Sequence, residues 1–285
     1  GLTNGAYLAK AGLRVAVLER NPYIGGATVS RELHKGWYYS NCSYVSSLLR
    51  PEITRDLELP RHGLQVVPFG GGATFMRNGD HFGSYADHDR HYREIARHSK
   101  RDANAYDRYA ADTSLQTKLI RPYLMRTPPD PTSLKPRDLR DLMEFAQSFM
   151  SLGEEKLLDT IKFWTASVGD YLNEYFETDV IKAHMAGSGI IGTALGVYSP
   201  GTAYVLLHHY MGDVDGNVGA WGFARGGMGA IASALSKAFQ SFGGDIICDA
   251  NVDEIIVRNG RAVGVALKDG TCLLYTSDAA DEVDS

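Results

Sequence analysis

The chain has 285 residues, 44% hydrophobic and 22% charged, a balance typical of soluble globular proteins and enough for one large domain or two ordinary ones. Its formal charge of −5 is concentrated in Asp278, Asp281, Glu282 and Asp284; without those four, the 34 acids fall to 30 against 29 bases. No basic stripe suits a nucleic acid, and no apolar run of about 18 residues suits a membrane span.

The stretch Leu2 to Ala11 is built from helix formers, with Gly12 as its C-terminal cap. Arg14–Leu18 is a short apolar strand ending at Glu19, so helix and strand form the second half of a βαβ unit. A turn through Asn21-Pro22 leads to Gly25-Gly26. Residues 31–65 are mixed, with a polar-aromatic patch at Trp37-Tyr38-Tyr39. Gln65–Pro68 and Ala73–Arg77 are expected strands, and Asn78-Gly79-Asp80 turns the second back through His81–Tyr85. From about Asp87 to Asp179 the period is helical, over Asp89–Tyr109, Asp138–Phe149 and Leu157–Phe176, with a break at Pro128-Pro129-Asp130-Pro131.

Arg225-Gly226-Gly227-Met228-Gly229 opens a further helix, Ala230–Phe242, which ends at Gly243-Gly244. Three strands follow, Asp245–Cys248, Val252–Arg258 and Ala262–Leu267, and are expected to form a β-meander. A plain NAD-binding domain would continue with crossover helices instead. From Cys272 to Ser285 the pattern changes to small and acidic residues, and this segment is expected to be a non-native tail. Cys42, Cys248 and Cys272 are far apart, odd in number and without CxxC spacing. They indicate neither a disulfide framework nor a zinc site, and they suit a reducing compartment: cytoplasmic in a bacterium, an organellar matrix in a eukaryote.

The informative pattern is Gly1, Gly5, Gly12, Glu19 and the Gly25-Gly26 pair. Gly1 stands where the third glycine of a GxGxxG turn would let a helix pack closely on its strand. Such a helix N-terminus holds a pyrophosphate through free N–H groups and its dipole. Glu19 at the strand tip can accept both ribose hydroxyls of an adenosine. Gly25 and Gly26 admit backbone to the phosphates where a Cβ would clash. Gly5 replaces the usual alanine, with little expected effect beyond a weaker helix. If the spacing were coincidence, these would be ordinary packing glycines and a solvated acid.

With the matching segments Tyr198–Tyr204, Leu206–His209, Gly219–Gly222, Arg225–Gly229 and Gly260–Val265, the chain resembles the phytoene-desaturase-like family of FAD oxidoreductases. Within it the pattern is similar to the branch of the pyridine nucleotide-disulfide oxidoreductase domain-containing protein 2 of animals and its bacterial relatives. The resemblance implies an α/β fold: a glutathione-reductase-like FAD-binding Rossmann domain, incomplete because its first strand is missing, with a β-meander. It adds an α+β substrate domain with a helical insertion. The implied division is 1–64 and 222–271 for the FAD-binding domain, 65–221 for the substrate or cap domain, and 272–285 for the tail.

The resemblance implies FAD as cofactor, held by Gly1, Glu19, Arg20, Gly25, Gly26, Ala27, Thr28 and Val252. Val252 would contact adenine through its backbone, unless it is a plain strand valine. Arg20 would reach the adenosine end or lie free at the surface. Ala27 and Thr28 would give backbone donors to phosphate. His208-His209 are read as packing or helix-surface residues, since neighbours on a helix point about 100° apart and cannot share one metal from the same side. Trp221 is read as either near the flavin or in an ordinary core. Arg225–Gly229 is read as a flexible helix entry near the cofactor rather than a second phosphate loop, because it lacks the Lys-Ser/Thr pair.

The implied function is the N-terminal half of an enzyme that oxidises or desaturates an apolar organic substrate by hydride transfer to flavin. Oxygen, a quinone or NAD(P) would be the electron acceptor. No catalytic residue and no metal ligand is identified, no nucleic-acid partner is expected, and room is left for peripheral membrane contact. The alternatives are an FAD-binding regulatory or interaction protein with little turnover, and an NAD-dependent dehydrogenase. The fragment alone is expected to be inactive and to retain FAD weakly or not at all.

Overall fold

The structure is a computed structural model that describes residues 1–275. It contains two compact units, Gly1–Val67 with Gly222 onward, and Pro68–Trp221.

The first unit begins with α1, Leu2–Lys10, which buries Gly5, Ala6 and Ala9. A Cβ on Gly5 would lie 2.9 Å from Val17 Cγ2 and 3.3 Å from Phe239 Cε2. One on Gly1 would meet Val17 Cγ1 at 3.5 Å, an ordinary contact. The close helix-to-strand approach therefore falls at Gly5 rather than Gly1, one turn into the helix, where the buried face meets the strand. The strand β1, Ala16–Leu18, follows. Next come β2, Ser30–His34, and β3, Trp37–Ser40, an antiparallel hairpin. Its strands are almost wholly exposed, so no apolar alternation marked them in a region that reads as mixed. A short helix, α2, Pro51–Asp56, starts on proline, whose missing N–H costs nothing there. The segment ends in β4, Val66–Pro68.

In the second unit, β5, Ala73–Phe75, and β6, His81–Gly83, form the expected hairpin. The single helix expected over Asp89–Tyr109 is two: α3, His88–His98, and α4, Lys100–Ile120. Ser99 stands between them in extended conformation, and its Oγ accepts the Asp102 N–H at 3.1 Å, an N-cap. After α5, Pro136–Met150, the helix expected over Leu157–Phe176 is likewise split. It becomes α6, Glu154–Thr165, and α7, Val168–Asn173, with Ser167 capping the second through the Asp170 N–H at 3.0 Å. The unit continues with α8, Asp179–Ala186, α9, Thr202–Tyr210, and a small hairpin of β7, Asp213–Val214, and β8, Asn217–Val218. Its core gathers Phe82, Tyr109, Leu172, Ile181, Leu206 and Leu207. Tyr109 packs its ring 5.5 Å from Tyr175 and 5.3 Å from Phe176.

The chain then returns to the first unit. β9, Gly222–Ala224, pairs with β4, and α10, Gly229–Ser241, shares a core with α1 through Ala6, Ala9, Ala234, Ala238 and Phe239. β10, Asp245–Ile247, runs parallel to β1, with Ala16 opposite Asp245 and Leu18 opposite Ile247. It does not join the meander, as the sequence suggested. Gly244 brings the chain so close under Phe239 that a Cβ would fall 1.9 Å from the ring, which delivers the strand beside β1. The meander is instead β11, Val252–Arg258, β12, Arg261–Leu267, and β13, Cys272–Leu274. β13 thus draws the first residues of the expected tail into a sheet; positions 276–285 of that tail lie outside the described residues. Among the described residues no helix is long and apolar enough to cross a membrane.

Two tests follow from the second unit. Asp102 is 0% exposed and accepts the N–H groups of Glu177 at 2.8 Å and Thr178 at 3.0 Å, together with the Thr178 hydroxyl. Asp102→Ala removes the shared acceptor of three partly buried hydrogen bonds at the start of α8. We expect it to lower unfolding stability by about 2–4 kcal/mol in a urea titration; an unchanged midpoint would refute the assignment.

His91, 5% exposed, and His184 press on the Phe82 ring at 6.1 and 4.9 Å, and His184 Nδ1 pairs with Thr74 Oγ1 at 2.8 Å. Burial lowers both imidazole pKa values from 6.5, and for His91 the neighbouring His184 adds to it. Below pH 6.5 the unfolded chain takes up protons that these folded sites resist. Their contribution is whole above that pH and is lost as pH falls through the folded values. The urea midpoint should drop between pH 7 and about pH 5, with a shallower drop in His184→Gln.

Candidate functional site

A cleft of about 660 Å³ in the first unit is lined by the start of α1, the end of β1, the Gly25-Gly26 loop, residues 43 and 45–49, and one face of α10. Its geometry begins with Glu19, the first residue after β1. The Glu19 N–H donates to Ile247 O and its carbonyl accepts the Ala250 N–H, both at 2.9 Å. The backbone is therefore tied to both ends of the turn after β10. One carboxylate oxygen, Oε1, accepts the Asn21 N–H at 2.8 Å and the Asn21 side-chain amide at 2.9 Å. No hydrogen bond among the described residues reaches the other oxygen, Oε2.

Gly1, Leu2 and Thr3 line the same cleft. No side chain caps α1, so its first-turn N–H groups have no acceptor within the helix and carry its positive dipole end. Gly25 and Gly26 complete the cradle. Gly25 has φ +123°, and a Cβ there would sit 3.2 Å from the Ala232 Cβ and 3.4 Å from Val29 Cα. Gly26 has φ +54°, and a Cβ there would meet nothing within 4 Å. Glycine at the first position lets the loop lie against α10; at the second it permits a left-handed turn facing open space.

Thr28 also lines the cleft, but its N–H and hydroxyl both donate to Gly25 O, at 2.9 and 2.7 Å. It braces the loop and has no backbone donor left for a phosphate, contrary to expectation. Ala27 is outside the lining, and its carbonyl accepts the Ser43 N–H at 2.9 Å. Arg20 is exposed and also outside the lining. Val252 stands opposite Leu267 in the meander, 38% exposed and outside the lining.

Sequence reasoning missed two walls. Met228, the N-cap of α10, and Ile231, Ala232 and Leu235 within it face the cleft at the three- and four-residue spacing of one helix face, a signal that was present. The wall at 43 and 45–49 carries no periodic signal. Ser46 is held there by reciprocal backbone hydrogen bonds with Gly222, each 2.8 Å, a tertiary pairing.

The Arg225–Gly229 segment is pinned rather than flexible. The Met228 N–H donates to Ser40 Oγ at 3.1 Å and the Gly229 N–H to Ser30 Oγ at 2.9 Å. Those amides are occupied, and a Cβ on Gly229 would lie 2.9 Å from the Ser30 nitrogen. The segment works as a helix entry. In the second unit, the His208 and His209 rings stand 6.0 Å apart at 90°. His209 Nδ1 pairs with Val205 O at 2.9 Å, and Trp221 Nε1 donates to His209 O at 3.1 Å. These contacts make the pair and the tryptophan part of local packing.

Chemically, the cleft combines free N–H donors at a helix start, an open glycine turn and a carboxylate with one unpaired acceptor oxygen. Donors of this kind suit a diphosphate, and such a carboxylate suits a vicinal diol. The residues present therefore fit the adenosine diphosphate portion of FAD.

Known proteins agree with that fit. Residues 1–283 match the family described as flavin containing amine oxidoreductase. The chain is 35% identical over 286 residues to the pyridine nucleotide-disulfide oxidoreductase domain-containing protein 2 of Mus musculus, an alignment covering 95% of this chain and 49% of that protein. It is 22% identical to a 4,4'-diapophytoene desaturase (4,4'-diapolycopene-forming) of Methylomonas sp, over 95% of this chain and 49% of that protein. The fold is similar to that of a putrescine oxidase triple mutant, with TM-score 0.54, 15% identity, and coverage of 95% of this chain and 54% of that one. The chain spans about half the length of the curated relatives it matches. FAD is the cofactor, in an α/β FAD-binding fold, and the chain belongs to the flavin containing amine oxidoreductase family.

Proposed function

We propose that this chain forms the nucleotide-holding part of an FAD-dependent oxidoreductase that oxidises or desaturates an apolar or partly apolar organic substrate. The observation that carries the reading is that Glu19, the uncapped start of α1 and Gly25-Gly26 line one cleft. When bound, FAD supplies the redox chemistry, accepting a hydride or its equivalent and passing electrons to oxygen, a quinone or NAD(P).

The chain's own residues bind and orient. In this reading the first-turn amides of α1 meet the diphosphate, and Gly26 keeps the backbone open to it. Glu19 Oε2 accepts the ribose hydroxyls while Asn21 fixes the carboxylate through Oε1. The α10 face of Met228, Ile231, Ala232 and Leu235 excludes water from one side of the cleft. Arg20 and the Val252 backbone belong to the adenosine end. The unit of Pro68–Trp221 is the substrate domain, and the sheet of β11, β12 and β13 is the meander of a glutathione-reductase-like FAD domain. The apolar substrate class is supported by the likeness to the diapophytoene desaturase. The free thiols of Cys42, Cys248 and Cys272 suit a reducing compartment. The family match leaves the NAD-dependent alternative without support.

Two outcomes are expected. Glu19→Gln replaces a charge-assisted acceptor by a neutral amide and should weaken FAD binding about 10- to 100-fold, read by flavin fluorescence on titration into the chain. Equal affinity in the variant would remove Glu19 from the site. In the whole flavoprotein, anaerobic mixing with unsaturated apolar hydrocarbons should bleach the visible flavin absorbance. Bleaching by aliphatic amines alone would overturn the substrate class, and bleaching by no candidate would favour a regulatory binder.

A further inference from the structure

The loop that carries Gly25 and Gly26 runs into Ser30, the first residue of β2. Ser30 stands opposite Ser40 of β3 in the hairpin register, and their hydroxyl oxygens are 3.0 Å apart. Each oxygen also accepts one amide of the α10 entry. Ser30 Oγ takes the Gly229 N–H at 2.9 Å, and Ser40 Oγ takes the Met228 N–H at 3.1 Å. A hydroxyl has one proton and two lone pairs, so one proton can lie between the two oxygens while each keeps a lone pair for its amide. The first N–H groups of a helix have no acceptor within it, and Met228, the N-cap of α10, makes no side-chain cap hydrogen bond. The two serines supply that cap from a distant part of the chain.

The glycines of the entry make room for Ser30. A Cβ on Gly227 would lie 2.5 Å from Ser30 Oγ, and one on Gly229 would lie 2.9 Å from the Ser30 nitrogen. A side chain at either position would push the serine off the helix start. The same helix meets the loop again three residues further on, where a Cβ on Gly25 would lie 3.2 Å from the Ala232 Cβ. Both ends of the loop are therefore fixed on α10, Gly25 by close packing and Ser30 by its hydrogen bond. The left-handed Gly26 turn is held between these two points. Gly26 lines the cleft, and its N–H has no acceptor among the described residues. The position of that free donor depends on where Ser30 sits on the helix.

We propose that Ser30, backed by Ser40, is a positioning residue for FAD: by accepting the Gly229 N–H it holds the 25–29 loop against α10 and so aims the Gly26 amide at the diphosphate. Ser30 is itself outside the cleft lining and acts through the loop. The proposal rests on the reading of the cleft as the FAD site, and it gives the glycine-rich entry of α10 a part in binding as the seat of this serine.

The test is separate titration of ADP and of adenosine into the full chain, followed by saturation-transfer NMR. Adenosine offers its ribose to Glu19 and has no phosphate for the loop, so the two ligands separate a displaced loop from a damaged fold. Ser30→Ala should weaken ADP about three- to tenfold and adenosine less than about twofold. Ser40→Ala leaves the bond between Ser30 and Gly229 in place and should cost ADP less than Ser30→Ala does. Glu19→Gln should weaken both ligands. Unchanged ADP affinity in Ser30→Ala, or an equal loss of both ligands there, would overturn the proposal and leave the cleft reading standing as long as Glu19→Gln still weakens ADP. No saturable binding of either ligand to the unsubstituted chain, or unchanged ADP affinity in Glu19→Gln, would overturn the cleft reading and the proposal with it.

Discussion

The first unit depends on the ring of Phe239, which is fully buried between two glycines far apart in the chain. Gly5 yields space to it from α1, and Gly244 does so where the chain leaves α10 for β10; a Cβ at Gly244 would collide with the ring edge at 1.9 Å, and one at Gly5 would press on it at 3.3 Å. One aromatic ring thus sets the separation of α1, α10, β1 and β10. Because β10 is held parallel to β1, the turn after it can tie the Glu19 backbone at both its N–H and its carbonyl. The carboxylate is then delivered to the cleft by backbone pairing, with little freedom left in its own main chain. Functional placement here comes from an apolar contact one helix turn away.

That dependence explains why part of the fold was legible and part was not. The glycine spacing, the α1 helix and the strands β11 and β12 follow from local rules, so composition and period reveal them. The break at Ser99 was also written in the sequence, as Ser99-Lys-Arg-Asp102, and that at Ser167 as Ser167-Val-Gly-Asp170. Both have the Ser-x-x-acid form of a helix start. Continuous helical spacing on either side concealed them, since apolar period survives a cap that only redirects the axis. The hairpin of β2 and β3 had no such signal, because neither face is buried. The pairing of β10 is a choice between two partners, β1 and the meander, that only packing around Gly244 decides.

The site divides along the same line. Gly25, Gly26 and Glu19 were legible because each answers to a constraint within a few residues: a positive φ, an open turn, a strand end. Thr28 has the right position and the wrong availability, since its two donors close on Gly25 O. The Arg225–Gly229 segment has the glycine content of an anion loop, yet Ser30 and Ser40 occupy its amides from about 190 residues upstream. A glycine-rich loop binds an anion only when its N–H groups are still free, and that depends on distant hydroxyls. The same accounting leaves the start of α1 open, because its N-cap, Gly1, makes no side-chain cap hydrogen bond.

Unpaired acceptors deserve the same treatment as unpaired donors. Glu19 Oε2 and Gln116 Oε1 are both left over after the chain has satisfied the other half of the same group: Asn21 takes Oε1 of the first, Thr160 takes Nε2 of the second. In each case the internal bond fixes the orientation of a planar group and thereby aims the remaining oxygen. The difference is exposure to water. Glu19 is partly exposed and borders an open cleft, so solvent can serve its free oxygen until a ligand displaces it at small cost. Gln116 is buried, and leaving its carbonyl unpaired has a standing cost of about 1–3 kcal/mol. A buried oxygen held in that state is a cost the fold carries by itself, whereas the open oxygen of Glu19 stands where a ligand can use it with no such cost to stability.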